Sequence, residues 1–161
     1  MKRLFIPLLL FFLAAELFAQ NLTALEKRIV SAGPEEMLLI VMDRNLEKEL
    51  LDIYYKFDEM EFDEIFPVYM SAFSGTTEEE CMVIMLKVAL ISALGCGYKN
   101  GVEEAMDFLF LLGEIASMEN LSELPDDLLE LMENRYWQDF IAFYQIFDPD
   151  VYLNERFPEY F

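Results

Sequence analysis

Histidine is absent from this chain of 161 residues. Without an imidazole there is no Ser-His-Asp or Cys-His machinery, no Glu-x-x-His di-iron bundle site and no His-Glu-x-x-His zinc site. Cysteine is scarce: Cys81 and Cys96 are the only two, fewer than a structural zinc site uses. No Gly-x-Gly-x-x-Gly or Walker loop occurs, so nucleotide binding has no support. Basic side chains are few, 11 against 31 acidic ones, for a formal charge of −20. A field of that sign repels phosphate backbones and anionic headgroups. Nucleic acid is therefore excluded as a partner, and a basic or amphipathic protein or peptide is favoured. Strand-like alternation of polar and apolar residues is missing too, as are Gly- or Ser-rich linkers. No cofactor, metal or catalytic residue is assigned.

What the chain does have is apolar bulk. It is 55% hydrophobic and 15% aromatic, enough to bury a core and too much for a disordered acidic tail. The length suits one domain.

The N-terminus carries a targeting pattern. Met1-Lys2-Arg3 is a short cationic segment, residues 4–15 (LFIPLLLFFLAA) form an apolar run of 12, and ELFAQ follows with Ala19 placed before a cut. This fits a cleavable secretory signal over 1–19, with an acidic all-α domain over 20–161. Twelve apolar residues are too few to cross a bilayer of about 30 Å. No cysteine lies near the cut to carry a lipid. The segment is similar to signal peptides of diderm bacteria, several of which end in FAQ. That resemblance implies export to the periplasm or the exterior, with no membrane contact after cleavage. Loss of 1–19 removes Lys2, Arg3 and Glu16, a net single positive charge, and leaves −21.

Helical signals cover the rest. Leu22, Leu25 and Ile29 share a face that ends at Gly33. Pro34 with Glu35 and Glu36 is a strong helix start, and the pattern predicts one helix from Pro34 to about Phe57. DEMEFDEIFPVYMSAFSG is acidic and then aromatic, with Pro67 starting or kinking a helix that ends at Gly75. Thr77 to Glu80 has capping-box spacing and opens a helix over 78–95, closed by Gly95 and Gly97. Asn100 is the expected cap of a helix running to about Ser117. Pro125-Asp126-Asp127 starts a last long helix reaching about Phe147. The aromatic tail from Asp148 is expected to pack irregularly.

The stretch CMVIMLKVALISALGCG, residues 81–97, contains one charge, Lys87. As a membrane span its seven Val, Ile and Leu residues supply roughly −2 to −4 kcal/mol, while Lys87 costs about +2.5 to +3.5 kcal/mol. Insertion gains almost nothing, and the run is short for a span. A helix apolar all round has another place, the centre of a bundle. Lys87 would then snorkel to the surface or meet a carboxylate. On one unbroken helix Cys81 and Cys96 stand about 22 Å apart, beyond the roughly 7 Å a disulfide allows. Two buried or half-buried thiols are expected, with an intermolecular bridge through Cys96 as the other reading.

Residues 58–64 (DEMEFDE) gather five carboxylates that could collect calcium, but they lack the EF-hand pattern and its glycine; Asp148 and Asp150 are a similar fragment. A solvated acidic face is the expectation for both. Methionines are spread over almost every predicted helix, among them Met37, Met42, Met60, Met70, Met82, Met85, Met106, Met118 and Met132. Such side chains fill core gaps and also suit adaptable apolar grooves.

ALGCGYKNGVEEAMDFL, residues 93–109, resembles the middle of a tetratricopeptide repeat through Leu94-Gly95, Tyr98, Gly101 and Glu104-Ala105. The match covers about 17 residues, its linker is two residues short, Ile91 stands where the family has Trp, and no copy recurs at a period of about 34. It is read as a helix hairpin packed closely at Gly95 and Ala105. A true repeat would imply a concave peptide-binding face.

These observations predict an all-α single compact bundle of five or six helices around the 78–95 helix. The expected role is a noncatalytic, exported binding or assembly protein that attracts a basic or amphipathic segment into an acidic, Met/Phe-rich groove. Candidate groove residues are Phe62, Phe66, Tyr69, Met70 and Phe73, with Trp137, Phe140 and Tyr144 sharing a face of the last helix. The alternatives are a carboxylate-based hydrolase of envelope polysaccharide and a membrane-anchored subunit spanning through 81–97.

Overall fold

A computed structural model of the chain describes residues 21–117 and 126–160. The proposed leader over 1–19 and the helix start at Pro125 lie outside them. In chain order the helices are α1 (Ala24–Ser31), α2 (Pro34–Met42), α3 (Glu47–Glu59), α4 (Phe62–Ala72), α5 (Glu78–Gly95), α6 (Lys99–Ala116), α7 (Asp126–Glu133), α8 (Arg135–Ile146) and α9 (Pro149–Arg156). Two 3-10 turns, Arg44–Leu46 and Pro158–Tyr160, complete the regular structure, and no strand occurs among the described residues.

The apolar rod is α5. Thr77 Oγ1 accepts from the Glu80 amide at 3.2 Å, and the Glu80 carboxylate accepts from the Thr77 amide at 3.1 Å. Two of the amides left over at a helix start are thereby satisfied by residues three apart. The body of the helix packs against α1, α2, α3, α4, α6 and α8, so Val83, Ile84, Val88, Leu90, Ile91 and Leu94 are all buried. No described helix is long and apolar enough to cross a membrane.

Four expectations about the elements change, and three of them alter the helix count. The helix expected from Pro34 to Phe57 breaks at Asp43, whose backbone is extended (ψ 102°) and whose Oδ1 accepts from the Asn45 amide at 2.9 Å. A short side chain that bonds the local backbone competes with helix continuation, and the break lets α2 and α3 both reach α5. The expected last helix breaks at Asn134, whose Oδ1 caps the Tyr136 amide at 2.8 Å. The tail is not irregular. Asp148 Oδ1 accepts from the Asp150 and Val151 amides, and Pro149 occupies the first turn of α9. These three differences raise the five or six expected helices to nine among the described residues. Asn100 is not the cap of α6 either; the helix starts at Lys99, and Tyr98 precedes it with no side-chain cap.

Lys87 meets a carboxylate and does not snorkel. Its side chain has no exposed surface, and its ammonium donates to Val30 O at 3.0 Å, Ala32 O at 2.7 Å and Asp139 Oδ2 at 3.1 Å. An ammonium has three protons, and each finds an acceptor. Burial lowers its pKa, and Asp139 opposes that shift. Glu26 carries the second buried charge, with no exposed side-chain surface. Its carboxylate accepts from Thr23 N, Lys56 Nζ and Tyr69 Oη, all within 2.8 Å. The Tyr69 phenol is pushed well above its usual value by burial and by Glu26.

The last turn of α5 is closed from far away in sequence. Tyr152 Oη donates to Leu94 O, and Arg156 donates to Gly95 O at 2.9 Å and pairs with Glu47 at 3.1 Å. A cation at a helix C-terminus also complements its dipole. Packing is close at Gly95: a Cβ there would meet Leu50 Cδ1, so that side chain would have to shift. The close approach at Gly95 is thus to α3, not to the α6 partner of the hairpin, whereas Ala105 of α6 is buried as expected.

Candidate functional site

Helix α6 has apolar residues on two faces. Val102, Ala105, Leu109 and Leu112 form the buried stripe. Met106 and Phe110 stand on a second stripe, offset by one residue, where Phe110 is 62% exposed. A side chain that large, left uncovered beside other apolar groups, marks a contact surface more than an isolated exposed Leu does.

Helix α9 forms the opposite wall. Tyr152 and Arg156 tie one of its faces to α5, which turns Pro149, Leu153 and Phe157 toward α6. Between the two helices lies a groove of about 420 Å³. Glu103, Asp107 and Asp150 stand at it, with Lys99, 3.5 Å from Glu103, as the one basic residue among the described residues that line it. A hollow of about 220 Å³ adjoins it through Met106, Phe110 and Pro149, and adds Leu109, Tyr144 and Phe147. Tyr144 lies there because Gly113 has no Cβ; one would collide with the Tyr144 hydroxyl. The result is a long apolar trough with an acidic margin.

The residues expected to line a groove are not brought together as a set. Tyr69, Trp137 and Phe140 are core residues: Tyr69 is bonded to Glu26, and the rings of Trp137 and Phe140 meet edge to face at 5.8 Å. They are unavailable to a partner because the faces that carry them point at α5 and its neighbours. Phe62 and Phe66 stack on α4 at 5.0 Å, with Phe62 half exposed. Met70 and Phe73 are half-buried against the core. Tyr144 lines the trough. Sequence reasoning missed Phe110, Leu153 and Phe157. Two signals were present: the second apolar stripe on α6, and the Asp148-Pro149 helix start that makes the tail a wall.

The chemistry available is limited. Both cysteines are free and buried, and burial raises the pKa of each thiol, which keeps the nucleophilic thiolate scarce. The 58–64 cluster is used locally, with Glu61 and Glu64 forming the capping box of α4. Asp148 is likewise a helix cap. Among the described residues no group of three His, Cys, Asp or Glu side chains is placed to hold a metal. Comparison with family models, with curated proteins and with solved structures finds no match to this chain.

Proposed function

We propose that the chain is an exported, noncatalytic binding protein, and that the α6–α9 trough takes the apolar face of a basic amphipathic segment. The observation that carries the reading is the uncovered Phe110 in an apolar trough bordered by Glu103, Asp107 and Asp150. The net charge, −20 for the whole chain and one unit more negative without residues 1–19, acts over a longer range and speeds encounter with a cationic segment, an effect that salt screens. Met106 lets the floor adapt to different apolar side chains.

The test uses two designed helical peptides of identical Leu pattern, one with Lys and one with Glu on the polar face. The Lys peptide should bind and weaken about tenfold or more from low to high salt. Phe110→Asp should abolish binding with the circular dichroism spectrum unchanged. Equal binding of the Glu peptide, or full binding by Phe110→Asp, overturns the reading. Export is tested separately by N-terminal sequencing of the chain from its native cell: Gln20 is the expected first residue, and a cytoplasmic chain that keeps Met1 refutes export.

A further inference from the structure

We infer a second site of different chemistry: the cleft between α3, α5 and α6 binds a primary alkylammonium ion, apolar tail inward and amine at the mouth. The floor is one stripe of α5, Leu86, Ala89, Leu90 and Ala93, spaced so that all four share a face. Alanine at two of these positions leaves the floor deep where larger side chains would fill it. Phe57 of α3 and Phe108 of α6 stand as walls, and the cleft measures about 260 Å³. That is under the usual range of drug-sized pockets, roughly 300–1,000 Å³, and suits a slender chain.

The mouth decides the sign of the head group. Among the described residues, Asp58 and Glu104 are the charged ones lining the cleft, and none of those lining it is basic. Tyr54 Oη donates to Glu104 Oε2 at 3.2 Å, which positions that carboxylate. The Tyr54 hydroxyl is pushed up to about 12, first by burial and then by Glu104, so it remains a donor through the neutral range. A carboxylate head would face two like charges. A hydrated metal ion would find an apolar floor where it needs oxygen ligands. An ammonium meets carboxylates beside the aromatic lining residues Tyr54 and Phe57, and aromatic rings attract a cation.

This site does not rest on the α6–α9 trough, and the experiment separates the two. Titration of the full-length chain with n-hexylammonium, hexanol and hexanoate, followed by calorimetry and by amide shifts at Ala89 and Ala93, should rank the amine first. Hexanoate should be at least about tenfold weaker. Glu104→Gln, an exposed change, should weaken the amine several-fold, and Ala93→Leu should remove binding by filling the floor. Phe110→Asp should leave it unchanged. Equal binding of hexanoate, an unaltered Glu104→Gln titration, or loss of amine binding in Phe110→Asp each overturns the assignment. A lysine-bearing peptide that binds the cleft more tightly than hexylammonium would also overturn it, by reassigning the cleft to a partner's side chain.

Discussion

The two ends of α5 are closed in opposite ways. At the first turn, Thr77 and Glu80 bond each other's amides from three residues apart. At the last turn, Leu94 O and Gly95 O wait for Tyr152 and Arg156, 58 and 61 residues further along the chain. The middle resembles the end: Lys87 reaches Val30, Ala32 and Asp139, all more than 50 residues away. A local cap can form as soon as the helix nucleates. The far cap forms only after the bundle has assembled, so it reports on tertiary structure. It also shapes the surface, since the residues that close α5 hold α9 as the wall of the trough.

Substitutions that test this contrast should therefore grade by how much buried hydrogen bonding each removes, with every distant contact costing more than the local cap. Lys87→Met should have the largest effect, about 3 kcal/mol in urea unfolding, because it leaves two buried carbonyls and the partly exposed Asp139 carboxylate without their donor. A loss under ~1 kcal/mol would mean the buried ammonium contributes little. Arg156→Ala should cost about 2 kcal/mol, discounted because its partner Glu47 is 44% exposed and solvent screens that half of the interaction. The same variant should weaken peptide binding in the trough, since α9 loses a tether. Preserved peptide affinity would detach the clasp from the site.

Tyr152→Phe should cost about 1.5 kcal/mol by leaving the Leu94 carbonyl buried and unpaired. Burial raises the Tyr152 pKa above its ordinary value. The folded chain then holds a proton at pH values where the unfolded chain has released it, so stability falls as pH rises past about 10. Tyr152→Phe should make that alkaline decline shallower in thermal melts, with Tyr69 and Tyr54 still contributing, and an unchanged slope would exclude the Tyr152 phenol as a contributor. Thr77→Ala should have the smallest effect, about 1 kcal/mol, the ordinary value of an N-cap. Because the two ends are separated by the length of the helix, Thr77→Ala and Arg156→Ala should add to within about 0.5 kcal/mol. Strong coupling between them would break the contrast between local and distant closure.

The sequence was legible wherever the deciding forces are short-ranged. The Thr77 capping box, the extent of α5 and the C-terminal end of α6 near Ser117 follow from residues within a few positions of each other. The breaks at Asp43 and Asn134 were legible in principle, since both are short polar residues that bond the next amides, but periodicity running through them argued for longer helices. The site was mostly illegible. Tyr69, Trp137 and Phe140 have the same helical spacing whether their stripe faces the core or a partner, and only neighbouring helices distinguish the two. Glu26 reads as an ordinary first-turn acid, and its burial depends on Lys56 and Tyr69 arriving from α3 and α4.

By itself the sequence determined that this chain is helical, that α5 is apolar on every side save at Lys87 and its first turn, and that imidazole chemistry is excluded. Those outcomes depend on composition and on interactions within one turn of helix. The tertiary structure alone decided which apolar stripe stays uncovered, where Lys87 and Glu26 find their partners, and that the tail becomes a wall. Each of those requires groups tens of residues apart to meet, and no local pattern records which of several similar faces will be buried.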